Sequence, residues 1–428
     1  MTGSHISTLR AGTKHALSAH RDPDVRRWLA AYAFSMLGDS VYYLALSWAA
    51  VQAGSPAQAG LVMSVSALPR AVLMLGGGVI ADRLGPRRVV IGSDAVRCAA
   101  VLAVAALLFL TSPGLWPLAL LALVFGTVDA VFMPAVGALP ARIAEKSQLA
   151  RVQGMRGLAI RFASVVGAPL GGLGVAVGGA PAAFALAGLL IAVSVPLLMS
   201  VRMRDLPADD RTPAGGGDPA APHHGTTPWS DLKAGLRYVR RHRVLGPLML
   251  AIALGDLGFV GPLNVGLTLL ADRRGWGASG MGWVLAGFGV GAGAASLLLT
   301  VRGRLPRAGL VTGYAVIVGS VAMGALAYVP ALGAAVGTAV LVGLLTGLSG
   351  AMCGALLQTQ ADPAYLGRVT SVSSLVSLGL APLSMPLAAA AIGTWGLGPV
   401  YVVSATVCGL GGVVALAVPG LRRAELPG

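Results

Sequence analysis

Four ionisable residues stand inside stretches that are otherwise apolar enough to cross a bilayer. Asp39 lies in SMLGDSVYYLALSW and Asp256 in IALGDLGFVGPL, while Asp129 and Arg70 interrupt two further apolar stretches. Each is 12 or 13 residues from a charged residue that ends its stretch, which at about 1.5 Å per helical residue is a depth of about 18–20 Å. An ionisable group near mid-bilayer costs about 2.5–3.5 kcal/mol. These residues therefore predict a membrane interior in which side chains are paired, hydrated or protonated.

The composition is that of a membrane protein. Of 428 residues, 56% are hydrophobic and 11% are charged, whereas soluble domains carry about 25% charged residues. The net charge of +15 comes from basic residues placed between apolar runs rather than on one water-exposed face, so we expect no nucleic-acid partner. The three cysteines lie in apolar segments and the six histidines lie in a tail or in the central loop. We therefore expect no disulfide, metal or other cofactor.

Twelve apolar runs of about 20 residues, the length of a transmembrane helix, lie between residues 28 and 420. Lys and Arg collect at alternate ends of these runs, which predicts a bacterial cytoplasmic-membrane protein with both termini inside. The polar segment 202–244 separates two sets of six runs, and its last part predicts an amphipathic helix that either lies on the inner leaflet or is a solvated connector. The expected units are a tail at 1–27, a six-helix bundle at 28–201, the cytoplasmic linker at 202–244, a second bundle at 245–420 and a tail at 421–428.

An internal repeat relates the two predicted bundles. LGD occurs at 37–39 and again at 254–256, an offset of 217 residues, and LARV at 149–152 corresponds to LGRV at 366–369 with the same offset. Two matches at one offset indicate duplicated halves of the kind found in transporters. The predicted fold is therefore an all-α integral membrane protein with twelve transmembrane helices in two pseudo-symmetric six-helix bundles.

Several short motifs resemble the major facilitator superfamily. GGVIADRLGPRR, between the second and third runs, is similar to the loop motif that acts as a conformational latch in that family, with Pro86 where the family has a basic residue. VGAPLGG in the fifth run resembles the antiporter motif with its proline one place late, and either packing or gating fits it. Three more stretches, IGSDAVRCAA, DLKAGLRYVRRHRVL and LLQTQADPAYLGRV, resemble the branch of secretion effectors and drug-efflux permeases. The matching residues are Gly78, Asp82, Arg83, Gly85, Arg87 and Arg88 in the loop, and Gly167, Pro169, Gly171 and Gly172 in the fifth run.

The resemblance implies that the first, fourth, seventh and tenth helices line a central cavity, which would place Asp39, Asp129 and Asp256 there. Arg70 is then the expected counter-charge for Asp39 or Asp129. Separating such a pair changes the proton affinity of the carboxylate, which is what proton-coupled antiport requires; a static ion pair that fixes helix packing is the alternative. We expect Asp94 and Arg97 to brace the loop motif. Further cavity candidates are Tyr43, Asn264 and Arg161, the last either binding an anionic substrate or extending to the interface.

These features favour a monomeric secondary transporter that exports a small organic compound, such as a drug, antibiotic or siderophore, in exchange for protons. The alternative is a facilitator that imports a sugar or another small metabolite. None of the three lysines follows a glycine, so the chain has no ATP-binding loop of the Walker type. A non-transporting receptor is a further alternative. A membrane enzyme is another, but it would need catalytic side chains in the membrane, and no apolar run holds a histidine or glutamate.

Overall fold

The computed structural model describes residues 22–67, 69–70, 73, 80, 83–111, 114–144, 148–201, 228–302, 307–362 and 365–424, and its regular secondary structure is helical. The tails at 1–21 and 425–428 and the linker residues 202–227 lie outside the described residues. A π-helical turn spans Pro262–Gly266, and two short helices of four residues each span Pro140–Ile143 and Pro419–Arg422. The numbered helices are α1 Pro23–Ala53, α2 Pro56–Val65, α3 Pro86–Leu110, α4 Trp116–Ala138, α5 Leu149–Met199, α6 Pro228–Arg241, α7 Leu245–Gly261, α8 Leu267–Arg273, α9 Gly277–Arg302, α10 Ala308–Leu326, α11 Leu332–Gln360, α12 Leu366–Trp395 and α13 Leu397–Ala417.

Within the described residues, ten helices are long and apolar enough to cross a membrane. One of them belongs to α5, whose 51 residues exceed what a single crossing needs. Its backbone leaves helical geometry at Gly178 and Gly179, where φ of Gly179 is 71°, so α5 is two membrane-length helices joined by a sharp break. The second apolar run is described only in part, as α2 and a few further residues. The predicted twelve crossings are consistent with this architecture.

The sequence repeat coincides with repeated helix positions. Asp39 lies in α1 and Asp256 in α7, the first long membrane helix of each half. Leu149 and Leu366 are the first residues of α5 and α12, and their numbers differ by 217, the offset of the repeat. Each half therefore carries an aspartate on its first membrane helix.

Close packing of α1 on α5 positions the residues of the first half. A Cβ on Gly38 would lie 2.5 Å from Cγ1 of Ile191, and a Cβ on Gly167 would lie 2.5 Å from the Cβ of Ser40. Such glycines allow helix backbones to approach closely in a membrane, where association depends on packing. The side chains of α1 near Gly38, including Asp39, are consequently held against the interior of the bundle.

The two ends of the molecule differ in how the halves meet. At the end where α1, α3, α7 and α12 begin, called here the arginine-rich end, the described residues form one buried core within each half, around Trp28 and Leu198 in the first and around Leu356 and Val369 in the second. Toward the opposite end a single buried core contains residues of both halves. The basic residues that define the arginine-rich end include Arg27, Arg87, Arg151, Arg240, Arg307, Arg368 and Arg422.

Polar contacts join the halves at the opposite end. The hydroxyl groups of Ser47 in α1 and Thr268 in α8 are 2.5 Å apart. One helical turn further along α1, Gln52 donates from Nε2 to Oδ1 of Asp272 at 2.7 Å. Together with the shared apolar core, these contacts close the molecule at the opposite end.

Helix α6, at the end of the polar linker, packs on protein. Tyr238 stacks on Tyr365 with ring centroids 4.5 Å apart, and its hydroxyl accepts a hydrogen bond from the backbone N–H of Asp362 at 3.1 Å. Val239 is buried, whereas Leu236 is 56% exposed. Tyr238 and Val239 of α6 therefore pack on protein, whereas Leu236 of the same helix stays exposed.

Cysteine cross-linking tests the closure at the opposite end. We expect Ser47→Cys combined with Thr268→Cys to form a disulfide under mild oxidation, because the two hydroxyl oxygens are already in contact. Mass spectrometry of the oxidised protein should find the cross-linked peptides, and reduction should remove them. The two single variants serve as controls. Free thiols at both positions after oxidation would contradict this closure.

Candidate functional site

Arg97 is the centre of a charged cluster in the first half. It lies 11 residues after Pro86, the start of α3, or about 16 Å along the helix, and its side chain is fully buried. Nη1 donates to both carboxylate oxygens of Asp39 at 3.0 and 2.8 Å and to Oδ1 of Asp129 at 3.3 Å. Nη2 forms an ion pair with Asp94. One guanidinium thus binds carboxylates from α1, α3 and α4.

Asp94 has hydrogen-bond donors on both of its oxygens. In addition to Arg97, Ser35 of α1 donates to Oδ1 at 3.1 Å and Ser194 of α5 donates to Oδ2 at 2.5 Å. The expectation that Asp94 and Arg97 brace the loop motif is therefore corrected, since both are inside the bundle and link α3 to its neighbours. Asp94 and Arg97 lie eight and 11 residues after Pro86, the start of α3, and so are well inside the bundle rather than at the loop.

Aromatic rings complete the surroundings of the guanidinium. Cζ of Arg97 lies 4.0 Å from the ring centroid of Phe132 and 5.9 Å from that of Phe125, distances at which an aromatic face attracts a cation. Tyr43 donates from its hydroxyl to Oδ2 of Asp129 at 3.2 Å. Aromatic rings therefore contact the guanidinium of Arg97, and an aromatic hydroxyl group forms a hydrogen bond with the carboxylate of Asp129.

A cavity of about 180 Å³ adjoins the cluster and is lined in part by Asp39, Asp129, Tyr43 and Arg70. At about 30 Å³ for each water, it has room for about six waters. The side chains of Asp39 and Asp129 are 14% and 7% exposed, whereas that of Arg97 is 0% exposed. Asp39 and Asp129 are consequently the members of the cluster that water in the cavity reaches.

Arg70 does not have the role expected from its depth. The ion pairs that the structure describes for Asp39 and Asp129 are both with Arg97. Arg70 instead lies on the cavity wall, and its buried Nε has no hydrogen-bond partner within the described part of the chain. Depth along a helix can be counted from sequence, but the direction in which a side chain leaves the helix cannot. The available signal was the i, i+3 spacing of Asp94 and Arg97, which puts both on one helix face.

Asp256 occupies a different environment in the second half. It lines a cavity of about 430 Å³ between α7, α10, α11, α12 and α13. Ser377 lines the same cavity, and the buried Oδ2 of Asp256 has no hydrogen-bond partner among the residues that the structure describes. Gly350 and Gly354, both on α11, line the same cavity. This carboxylate therefore faces open space rather than a guanidinium.

Two predicted cavity residues lie elsewhere. Asn264 donates from Nδ2 to the backbone oxygen of Val260 at 2.8 Å, within its own helical segment. Arg161 is exposed on α5. Neither residue is part of the lining of the cavities beside Asp39 and Asp256.

The predicted loop motif is described only in part, because Gly78 and Asp82 lie outside the described residues. Gly85 has φ 83° and precedes the first residue of α3, a left-handed conformation that glycine adopts without strain. Arg87 donates to the backbone oxygen of Met199 at 2.6 Å and so ties the start of α3 to the end of α5. The exposed members of the motif are Arg83 and Arg88.

The motif in the fifth run lies where α5 contacts both halves. Pro169 is inside α5, and Gly167 and Gly171 face α1. A Cβ on Gly172 would lie 2.6 Å from the backbone oxygen of Ala278 in α9 of the other half. Its glycines therefore serve close packing, both within the first half and across the closure.

Repeated helical halves that close at one end, with ionisable groups at mid-depth, define a membrane transporter built from two bundles. The chain belongs to the Major Facilitator Superfamily, whose family model matches residues 28–380. It is therefore a multi-pass cell-membrane transporter and not an enzyme. The predicted all-α membrane fold and the predicted family are confirmed, and the predicted twelve helices are consistent with the structure.

Similar proteins agree with this assignment. The chain is 27% identical to the multidrug efflux pump Tap of Mycolicibacterium fortuitum over 409 residues, which cover 91% of this chain and 94% of the relative. It is 26% identical to the enterobactin exporter EntS of Shigella boydii, and the match covers 79% of this chain and 80% of the relative. Among solved structures, a POT family transporter in complex with 5-aminolevulinic acid has a TM-score of 0.68 at 12% sequence identity, and the match covers 93% of this chain and 96% of that chain. A bacterial homologue of the human lysosomal transporter Spinster has a TM-score of 0.61 at 17% sequence identity, and the match covers 96% of this chain and 97% of that chain.

Removing the central guanidinium should destabilise the first half. We expect Arg97→Gln to lower the thermal unfolding midpoint of the purified protein, because breaking a buried ion pair costs about 3–5 kcal/mol. Adding Asp94→Asn should restore part of the loss by removing one uncompensated carboxylate. Arg273→Gln, at an exposed position, is the matched control. An unchanged midpoint in Arg97→Gln would show that the cluster is not a source of stability.

Proposed function

We propose that this protein exports a small organic compound from the cell by alternating access in exchange for protons, with Asp39 as the principal proton-carrying residue and Asp129 as the second. The observation that carries the proposal is the group of three carboxylates around the single guanidinium of Arg97, next to a cavity large enough for water. No ATP is required, and one chain forms the whole transport unit.

The charges of the cluster favour a bound proton. Asp39, Asp94 and Asp129 supply three negative charges if all are ionised, and Arg97 and Arg70 supply two positive charges. The excess of one negative charge in a desolvated region is costly. Protonation of one carboxylate would balance the positive and negative charges.

The geometry divides the three carboxylates into a fixed one and two exchangeable ones. Asp94 accepts hydrogen bonds from three side chains and is fully buried, which suits a structural anchor. Asp39 and Asp129 adjoin the 180 Å³ cavity, so waters there can deliver or remove a proton. Tyr43, hydrogen-bonded to Asp129 at 3.2 Å, can orient that carboxyl group.

Helix α1 provides a mechanical connection between proton binding and conformation. Asp39 and Ser47 lie on this one continuous helix, eight residues or about 12 Å apart. Protonation of Asp39 would weaken its ion pair with Arg97 and free α1 to shift relative to α3. Because Ser47 contacts Thr268 of the other half, such a shift would act on the closure at the opposite end.

The names of the relatives support export over import. A multidrug efflux pump and an enterobactin exporter are similar to this chain over most of its length. A drug, an antibiotic, a siderophore or another secondary metabolite is accordingly the substrate class, and a facilitator that imports a sugar remains the alternative. The concentration of arginines at one end supports placing that end, and both termini, in the cytoplasm.

The orientation can be tested with reporters at the termini. We expect green fluorescent protein fused to either terminus to fluoresce in bacterial cells and alkaline phosphatase fused there to be inactive, because each reporter works on only one side of the cytoplasmic membrane. Phosphatase fused after Arg273, between α8 and α9, should be active. Active phosphatase at the termini would reverse the assignment.

Transport in proteoliposomes tests the proton coupling. We expect a pH gradient to drive uptake of a dye or antibiotic substrate into liposomes in which the protein is oriented so that uptake corresponds to export from the cell. Asp39→Asn should reduce this gradient-driven transport to background, because an asparagine side chain cannot exchange a proton. Asp129→Asn should have a smaller effect. Substrate exchange without a gradient should persist in Asp39→Asn.

The control is Asp24→Asn, which removes an ion pair with Arg27 at the start of α1 and should leave transport unchanged. If Asp39→Asn and Asp129→Asn both retain gradient-driven transport, the proton-coupling part of the proposal fails. Gradient-driven accumulation in the opposite direction would favour the importer.

A further inference from the structure

The two duplicated aspartates have opposite surroundings. Asp39 is ion-paired to Arg97 on α3. Asp256 lies beside the corresponding helix of the second half, α10, which contributes Thr312, Gly319 and Ser320 to the cavity wall. The sequence of α10, AGLVTGYAVIVGSVAMGAL, holds no charged residue. The second half therefore preserves the aspartate and lacks the cation that neutralises its counterpart.

The cavity around Asp256 has the size and lining of a ligand site. Its volume is about 430 Å³, within the range of about 300–1,000 Å³ usual for small-molecule pockets. Neither Lys nor Arg is among the residues that line it. Besides Asp256, the wall carries the ring of Phe259 and six hydroxyl-bearing side chains among largely apolar residues, namely Thr312, Ser320, Thr346, Ser349, Ser373 and Ser377.

Asp256 contributes to the wall of this cavity. Oδ2 of Asp256 is buried and has no hydrogen-bond partner in the described part of the chain. A carboxylate without a partner in a desolvated region costs free energy, and the charge of a cation in the adjoining cavity would recover part of it. The lining residues occupy the parts of α10, α11 and α12 that are nearer the arginine-rich end, away from the closure.

The chemistry of the lining selects the kind of cation. A metal ion requires several oxygens converging at about 2.0–2.6 Å, and the described residues contain no cluster of three or more His, Cys, Asp or Glu that could hold one. An organic cation with delocalised or alkylated charge is large, sheds water more easily, and gains from apolar walls, an aromatic ring and a single carboxylate. The cavity fits this second class.

We propose that the Asp256 cavity binds the cationic group of a lipophilic organic cation, with Asp256 as its counter-ion. This inference rests on the proposed function for its meaning, because it names the chemical class of the exported compound. The site belongs to the second half alone, and the proton-carrying cluster belongs to the first.

Equilibrium binding to purified protein in detergent tests the site without any gradient. The probes are tetraphenylphosphonium, a lipophilic cation, and tetraphenylborate, an anion of the same shape, each corrected for empty micelles. We expect tetraphenylphosphonium to bind and tetraphenylborate not to bind. Asp256→Asn should weaken tetraphenylphosphonium binding by about tenfold or more, since removing one partner of a buried charge pair has effects of that size or larger. Asp256→Glu should retain part of the affinity.

A pair of glycine variants on α11 tests the cavity independently of charge. A Cβ on Gly354 or on Gly333 meets no atom within 4 Å, so both positions accept a larger side chain, but only Gly354 lines the cavity. Gly354→Leu should therefore weaken tetraphenylphosphonium binding, and Gly333→Leu should not. Asp24→Asn is the control for loss of a carboxylate far from the cavity.

The outcomes separate this inference from the proposed function. Equal binding of both probes, or full affinity in Asp256→Asn and Gly354→Leu, overturns the inference, and proton-driven export of a neutral or anionic compound could still stand. Selective cation binding that depends on Asp256 supports the inference even if proteoliposomes show no proton coupling, in which case only the proton-coupling part of the proposed function fails.

Discussion

The burial of the Arg97 guanidinium is the constraint on which the first half depends. A fully buried cation in a membrane protein needs anionic partners, and it obtains them from α1, α3 and α4. Ser35 and Ser194 bring α1 and α5 to the same point through Asp94. Four helices therefore converge on one side chain, and the close packing at Gly38 and Gly167 is compatible with that convergence because it keeps α1 against α5.

The second half shows what the repeat becomes without that constraint. Among the residues that the structure describes, no guanidinium lines the cavity beside Asp256, and the volume between α7, α10 and α11 stays open. Glycines on the cavity side of α11 enlarge it, because Gly350 and Gly354 have open space where a side chain would be. One duplicated position thus supports an ion cluster in the first half and an anionic cavity in the second.

The sequence predicted the architecture well because hydropathy, positive-inside asymmetry and a fixed repeat offset each report on it. It also placed Asp39, Asp129 and Asp256 at mid-depth, and their roles stay predictions. It assigned the counter-charge to Arg70 instead of Arg97 because depth alone does not specify which helix faces meet. Asn264 was expected in a cavity, yet its amide is used by the backbone of its own helix, a local competition that residue type does not reveal.

The two aspartates are both connected to the closure at the opposite end, but by elements of different stiffness. On the first side, α1 is a single helix of 31 residues that carries Asp39, Ser47 and Gln52. On the second side, the π-helical turn Pro262–Gly266 lies between Asp256 and Thr268. Such turns interrupt regular helices and are frequent at functional sites. In the proposed mechanism, a change at Asp39 would be transmitted directly to the closure, whereas the turn would absorb movement around Asp256, so that ligand binding there need not strain the contact that protonation of Asp39 would affect.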